Sequence, residues 1–161
     1  MTAILSPCRT YRYLLSRGPD SMFSYEQPVL FCGANPSTAD ARKNDPTVNR
    51  LRGFARLWQC AGFSLINLYA FRAKDPTDLW TVADPVGPDN DKHIRDALTR
   101  FKHCVVCWGN IGKPDRVASF CQIAHDVGAE LLCFCTNQDG SPGHPLYLKG
   151  DTILKKWAPN V

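Results

Sequence analysis

Val29-Leu30-Phe31-Cys32-Gly33-Ala34-Asn35-Pro36-Ser37 is the stretch that decides the fold of this chain. An apolar run breaks at Gly33 into a Gly-x-Asn-Pro-Ser turn, and apolar runs cut off by Gly and Pro read as buried strands opening into a loop. In an open α/β sheet that loop lies at the carboxyl end of the strand, where ligands bind. Gly33 permits a tight turn, and Pro36 keeps the residue before it out of helical geometry. Asn35 is therefore expected in an extended conformation, with a carboxamide that both donates and accepts. The plainer alternative is a polar strand-to-helix turn.

Downstream, Asp45-Pro46-Thr47-Val48-Asn49-Arg50 leads into a helix expected over 47–61, with Val48, Leu51, Phe54, Ala55 and Trp58 as its apolar stripe and Gly62 as its stop. Strands are expected at 64–69, 104–108 and 130–135. A helix opened by Asn90-Asp91 runs to Arg100, and another covers 114–127. The Asp- and Pro-rich stretch 75–90 reads as a long loop with one short helix at 76–82. Upstream, the aromatic and basic residues Tyr11, Arg12, Tyr13, Arg17, Phe23 and Tyr25 suggest an edge strand or hairpin. Strands alternating with helices imply a parallel sheet covered on both faces. The expectation is one α/β domain over 1–161, a three-layer sandwich around a central, mainly four-stranded parallel sheet.

At 161 residues the chain is long enough for a proper core, and 44% hydrophobic with 21% charged residues is the balance of a soluble globular protein. No apolar stretch is long enough to span a bilayer and the N-terminus lacks a signal-peptide pattern, so a cytoplasmic protein without a membrane partner is expected. A net charge of +4 is compatible with a polyanionic partner but too small to require one. The 8 cysteines invite a metal or disulfide reading. Cys104 and Cys107 fall on a strand, however, where a spacing of three points them to opposite faces, which is poor for chelation. Cys133 and Cys135 share a face but lack a second compact pair. The cysteines are read as small buried hydrophobes, and no metal or cofactor is expected.

Polar clusters follow each strand: Asn35, then Asn67-Tyr69-Arg72, then Trp108-Asn110, then Asp139-His144. Four strand ends feeding one edge of the sheet predict a pocket there.

Two resemblances add to this reading. The string ANPSTADARKNDPTVNR, then NLYAFRAKDPTDL, DPVGPDND, a Trp-Gly turn and GHPLYL is similar, over nearly all of residues 10–157, to a bacterial and phage family catalogued as domain of unknown function 1643. That likeness implies little about activity. More distantly, Cys32–Ser37, with Asn49-Arg50 and Trp58-Gln59-Cys60-Ala61-Gly62-Phe63, resembles the first motif of mismatch-specific uracil/thymine-DNA glycosylases. That motif is a Gly-x-Asn-Pro-Gly strand end, an Asn-Arg-Phe-Trp helix and an Ala-Gly-Phe stop. Gly143-His144-Pro145-Leu146-Tyr147-Leu148 resembles the His-Pro loop of the wider uracil-DNA glycosylase superfamily, whose sheet has four parallel strands. The chain departs from the pattern at Ser37, where Gly is usual, and in the extra Asp-Pro segments of 75–90. A leucine-wedge loop is not recognisable.

The resemblance implies cleavage of an N-glycosidic bond in DNA bearing an altered or modified pyrimidine. Such a site extrudes the base, holds its polar edge and stabilises the departing base anion. By that analogy Asn35 orients a water and His144 donates a hydrogen bond to the leaving base, for which a neutral imidazole suffices. Asp45, the carboxylate nearest the Asn-Pro turn, is the candidate general base and alternatively only a helix cap. Asp91 and Asp139 are lesser candidates. Asn67 suits a pyrimidine edge, with Tyr69 or Phe71 stacking on the ring and Arg50, Arg72 and Lys149 gripping phosphates. Gly33, Pro36, Ser37, Asn49 and Trp108 complete the expected ligand-binding set. His93, His103 and His125 read as surface or helix residues. Three functions stay open: a DNA glycosylase; a non-catalytic module binding a base, nucleotide or partner protein; and a small-nucleotide enzyme using Asp45 or Asp91. The last has neither a P-loop nor a Gly-x-Gly-x-x-Gly fingerprint behind it.

Overall fold

The computed structural model describes residues 2–19 and 27–159. Phe23 and Tyr25, two of the residues read as part of an N-terminal hairpin, lie outside the described residues.

Among the described residues seven strands form one mixed sheet: β1 (Thr2–Leu5), β2 (Arg12–Arg17), β3 (Val29–Gly33), β4 (Phe63–Asn67), β5 (His103–Val106), β6 (Glu130–Cys133) and β7 (Lys155–Lys156), in the spatial order β1-β2-β4-β3-β5-β6-β7. The central four, β4, β3, β5 and β6, run parallel to one another. The sequence reading of a mainly four-stranded parallel sheet is thus extended to seven strands. β1 and β2 add antiparallel beside β4, and β7 adds antiparallel beside β6. β7 had no expectation attached to it, because two exposed lysines carry no apolar signal.

Three helices connect the parallel strands: α1 (Pro46–Leu57), α2 (Asn90–Phe101) and α3 (Pro114–Asp126). Strand alternation decides where each packs. Leu30 and Cys32 of β3 face a core shared with Ile94 and Leu98 of α2 and with Phe120 and Ile123 of α3. Phe31, between them, faces the opposite core with Val48, Leu51 and Phe54 of α1. Helices therefore cover both faces of the sheet. Phe31 stacks on Phe134 and Trp58 and meets Phe63 edge-on, so the α1 side is largely aromatic. The same alternation separates Cys104 and Cys107 into the two cores. Burial pushes the thiols of Cys32 and Cys104 well up and that of Cys107 to about 12, so all three stay protonated. Among the described residues no three His, Cys, Asp or Glu side chains cluster as a metal site requires, and no helix is long and apolar enough to cross a membrane.

α1 ends four residues before the expected position. Trp58 caps it and Gln59 takes the left-handed conformation (φ 56°) that the sequence reading assigned to a glycine stop. Gly62 is needed one turn later, at φ 98°, where a Cβ would collide with the Arg17 carbonyl oxygen. It makes the close turn into β4, not the helix stop.

Candidate functional site

The order of the four parallel strands fixes where loops part. From β3 the chain crosses through α1 on one face to β4, and from β4 it returns over β3 through α2 on the other face to β5. The loops leaving β3 and β5 thus diverge to opposite faces, which opens a crevice between adjacent carboxyl ends. A cavity of about 480 Å³ occupies that place. The β3 loop lines it with Gly33–Asn35, Ser37 and Asp45, the β4 end with Asn67, Ala73 and Lys74, the β5 end with Cys107–Ile111, and the chain beyond β6 with His144, Leu146 and Tyr147. Arg12 of β2 completes the wall.

Each polar group is held by local chemistry. Asn35 spends its Nδ2 on the carbonyls of Pro36 (3.0 Å) and Ala73 (2.9 Å), and the Ala73 amide returns a bond to Pro36 O, so the loops after β3 and β4 are laced together. Among the described residues no donor reaches Asn35 Oδ1, which remains an acceptor for whatever enters. Asp45 caps α1: its Oδ1 accepts from Val48 N at 2.8 Å, and the residue is 7% exposed. His144 begins the 3₁₀ turn Pro145–Tyr147, where its Nδ1 accepts from Leu146 N at 3.5 Å. That contact assigns the ring proton to Nε2. Burial pushes the His144 imidazole below its ordinary value, with the Asp45 carboxylate opposing, so the ring is a neutral donor at neutral pH.

Asn67 is 2% exposed, and its Nδ2 has no hydrogen-bond partner among the described residues. It pairs in register with Gly33. A Cβ on Gly33 would lie 3.0 Å from Asn67 Oδ1, so the glycine makes room for this side chain. Behind the wall, Asn90 Nδ2 donates to the carbonyls of Asn67 (3.1 Å) and Leu68 (3.0 Å), and Arg116 Nε donates to Leu68 O at 2.7 Å. Asp91, a lesser candidate base, is paired to Arg116 at 2.6 Å outside the cavity. Asp139 also lies elsewhere, along a shallower groove that shares His144 and Tyr147 with the cavity, and its Oδ1 accepts from Ser141.

A family model described as "Protein of unknown function (DUF1643)" matches residues 12–146. The chain belongs to that family. No curated protein and no solved structure matches it. The DUF1643 segment begins at Arg12 and ends at Leu146, so it contains every residue of the cavity wall except Tyr147.

Of the residues singled out in the sequence, the cavity brings together Gly33, Asn35, Ser37, Asp45, Asn67, Trp108 and His144. Others lie off it. Pro36 is buried beneath the loop. Tyr69 is 2% exposed and packs edge-on against Trp80, with its hydroxyl accepting from Lys113 N at 3.1 Å. Phe71 rests edge-on against Tyr11. Arg50 reaches from α1 to the carbonyls of Pro145 (3.4 Å) and Leu148 while lying 4.7 Å over the Phe54 ring. It fastens the His144 loop to the helix. Arg72 donates to Arg9 O at 3.4 Å. Asn49 accepts from Asn44, and Lys149 is exposed beyond the turn.

Arg12 is the member that sequence reasoning missed. It is 1% exposed; Nη1 donates to Ala39 O at 2.7 Å and Nε has no partner among the described residues. Burial lowers its pKa to about 10, with Asp45 opposing, so it stays charged. At the other end of β2, Arg17 holds Asn44 Oδ1 (2.8 Å) and the carbonyls of Asp40 and Lys43. The only available signal was an arginine at each end of a strand centred on Tyr13, Leu14 and Leu15, which demands buried acceptors.

Proposed function

We propose that the cavity takes a nucleobase and that this chain is a uracil-DNA-glycosylase-like enzyme, hydrolysing the N-glycosidic bond of an altered or modified pyrimidine in DNA. The observation that carries the proposal is the meeting of the Asn35-Pro36 strand end with the His144-Pro145 loop across one cavity, with His144 neutral and its Nε2 proton available. The four parallel strands in the order β4-β3-β5-β6, with helices on both faces, support the same reading. A volume near 480 Å³ falls in the range of small-ligand pockets.

In the proposed reaction the bond from the sugar carbon to the base nitrogen breaks and the base leaves with the electron pair. Water supplies the new oxygen–carbon bond and loses a proton to Asp45. Asn35 Oδ1 accepts from that water and holds it in place. His144 Nε2–H and Asn67 Nδ2–H donate to the developing base anion, where a dry, fixed dipole is most effective. The test is base release from single- and double-stranded oligonucleotides carrying uracil, mismatched thymine or oxidised and hydroxymethylated pyrimidines. Abasic sites formed by wild type and lost in Asn35→Ala and His144→Ala are expected. No release from any substrate by a correctly folded protein rejects the glycosylase.

One observation favours a second reading, a non-catalytic module of the same fold that binds a base or nucleotide. Two of the three residues assigned to phosphates, Arg50 and Arg72, already donate to backbone carbonyls, which leaves Lys149 exposed beyond the turn. Under that reading Asn35→Ala weakens ligand binding and there is no turnover to lose.

A further inference from the structure

The β2 side of the cavity has an electrostatic character that the glycosylase scheme does not use. Arg12 lines the wall while 1% exposed, with one nitrogen on Ala39 O and unsatisfied donor capacity at Nε. Buried guanidinium groups are normally paired with an anion, because an uncompensated charge away from water is costly. The charged groups acting on Arg12 are Asp45, Arg72, Arg17 and Asp40. Three guanidiniums thus confront two carboxylates. Asp40 is already occupied by the amides of Arg42 and Lys43, and Asp45 by Val48 N. Asp45 forms no direct ion pair with Arg12 among the described residues. The N-terminus of α1, whose first residues Pro46–Val48 also line the cavity, adds further positive potential, and Lys74 stands at the rim.

We infer that this wall is an anion subsite centred on Arg12, and that the ligand is a planar heterocycle carrying a carboxylate that meets the guanidinium. The heterocycle rests on the nucleobase reading above; the carboxylate rests on Arg12. A carboxylate accepts the fork of Arg12 in a way that a neutral ring carbonyl cannot match. Asp45 stands near enough to weaken such an anion and is itself held by the helix cap, so it tunes the subsite without closing it.

Calorimetric titration of the whole chain with four probes tests this: orotate, its methyl ester, uracil and benzoate. Orotate is expected to bind at least about tenfold tighter than the ester or uracil, the range for a hydrogen bond to a charged group. Arg12→Gln should abolish that preference. Asp45→Asn keeps the Oδ1 cap and removes the opposing charge, so it should tighten orotate by several-fold and leave the ester unchanged. A merely structural role for Arg12 would not produce these opposite signs. Should Arg12→Gln fail to fold, Asp45→Asn and Arg12→Lys carry the test, the latter expected to keep part of the preference.

Equal binding of orotate and its ester, or a preference that survives Arg12→Gln, overturns the subsite. If uracil binds and orotate does not, the subsite is wrong while the nucleobase reading stands. If benzoate matches orotate and depends on Arg12, the subsite stands and the nucleobase reading falls. Absence of binding by all four overturns both.

Discussion

Arg50→Ala separates two roles for one side chain. The motif Asn49-Arg50 suggested a phosphate grip, whereas the guanidinium bridges α1 to the carbonyls of Pro145 and Leu148 and stacks on Phe54. A hydrogen bond from a charged donor contributes about 1.5–3 kcal/mol, and an exposed cation–π contact about 0.5–1 kcal/mol. The bond to Pro145 is long at 3.4 Å and the residue is half-buried, so the sum is about 2–3 kcal/mol. For a domain of this size that corresponds to a fall in Tm of about 4–12 °C. Urea and thermal melts of Arg50→Ala measure it, and faster amide exchange at Leu146 and Leu148 should accompany the loss, because the 3₁₀ turn is released from the helix. The salt dependence of oligonucleotide binding should keep its slope. A Tm within about one degree of wild type, with the salt slope reduced by about one ion, would refute the fastening role and restore the phosphate contact.

Gly33→Ala places a methyl 3.0 Å from Asn67 Oδ1 and should cost about 0.5–1.5 kcal/mol of stability while displacing Asn67, so ligand affinity should fall far more than the melting temperature. Wild-type affinity in that variant would show that the Asn67 position is immaterial. Asp45→Ala should lose about 0.5–2 kcal/mol through the missing cap, and Asp45→Asn much less, read by chemical denaturation. His144 has a folded pKa below its ordinary 6.5, so the unfolded chain binds the extra proton first. Its contribution to stability is complete above that value and is lost as pH falls through the folded pKa, and His144→Gln should flatten the pH–stability curve over that window. Thiol labelling at neutral pH should modify Cys8 first, because it is exposed and hydrogen bonds from Ser6 and Thr10 lower it to about 7, whereas Cys32, Cys104 and Cys107 should react only on unfolding.

The parts of the fold legible in the sequence were those whose signal is local. β3 shows itself by an apolar run ending at Gly33, α2 by its Asn90-Asp91 opening, and α3 by the Gly128 that follows it at positive φ. The end of α1 was misread because Gln59 adopts a left-handed conformation without the glycine that would advertise it. The cavity was foreseeable from polar residues at four strand ends, since parallel topology sends all of those ends to one edge. Which residues turn inward was not. Tyr69 looks like a stacking platform until its hydroxyl is found against Lys113 N, and Arg50 like a phosphate contact until two carbonyls 95 and 98 residues later are found to claim it. Arg12 was invisible for the converse reason: its acceptors and its cavity belong to segments that only the tertiary pairing of β2 with β4 brings near.

That pairing ties assembly of the cavity to the folding pathway. Leu15 meets Leu65 across about fifty residues of chain, whereas β3 and β4 are joined by a single helix. During synthesis the β2 segment leaves the ribosome before β4, with only β1 to pair with, and must wait for its second partner strand to emerge. A state with the parallel centre built and β2 undocked would bury most of the apolar core but lack Arg12 in the cavity wall. Recovery of native fluorescence should therefore precede recovery of ligand binding in a refolding time course.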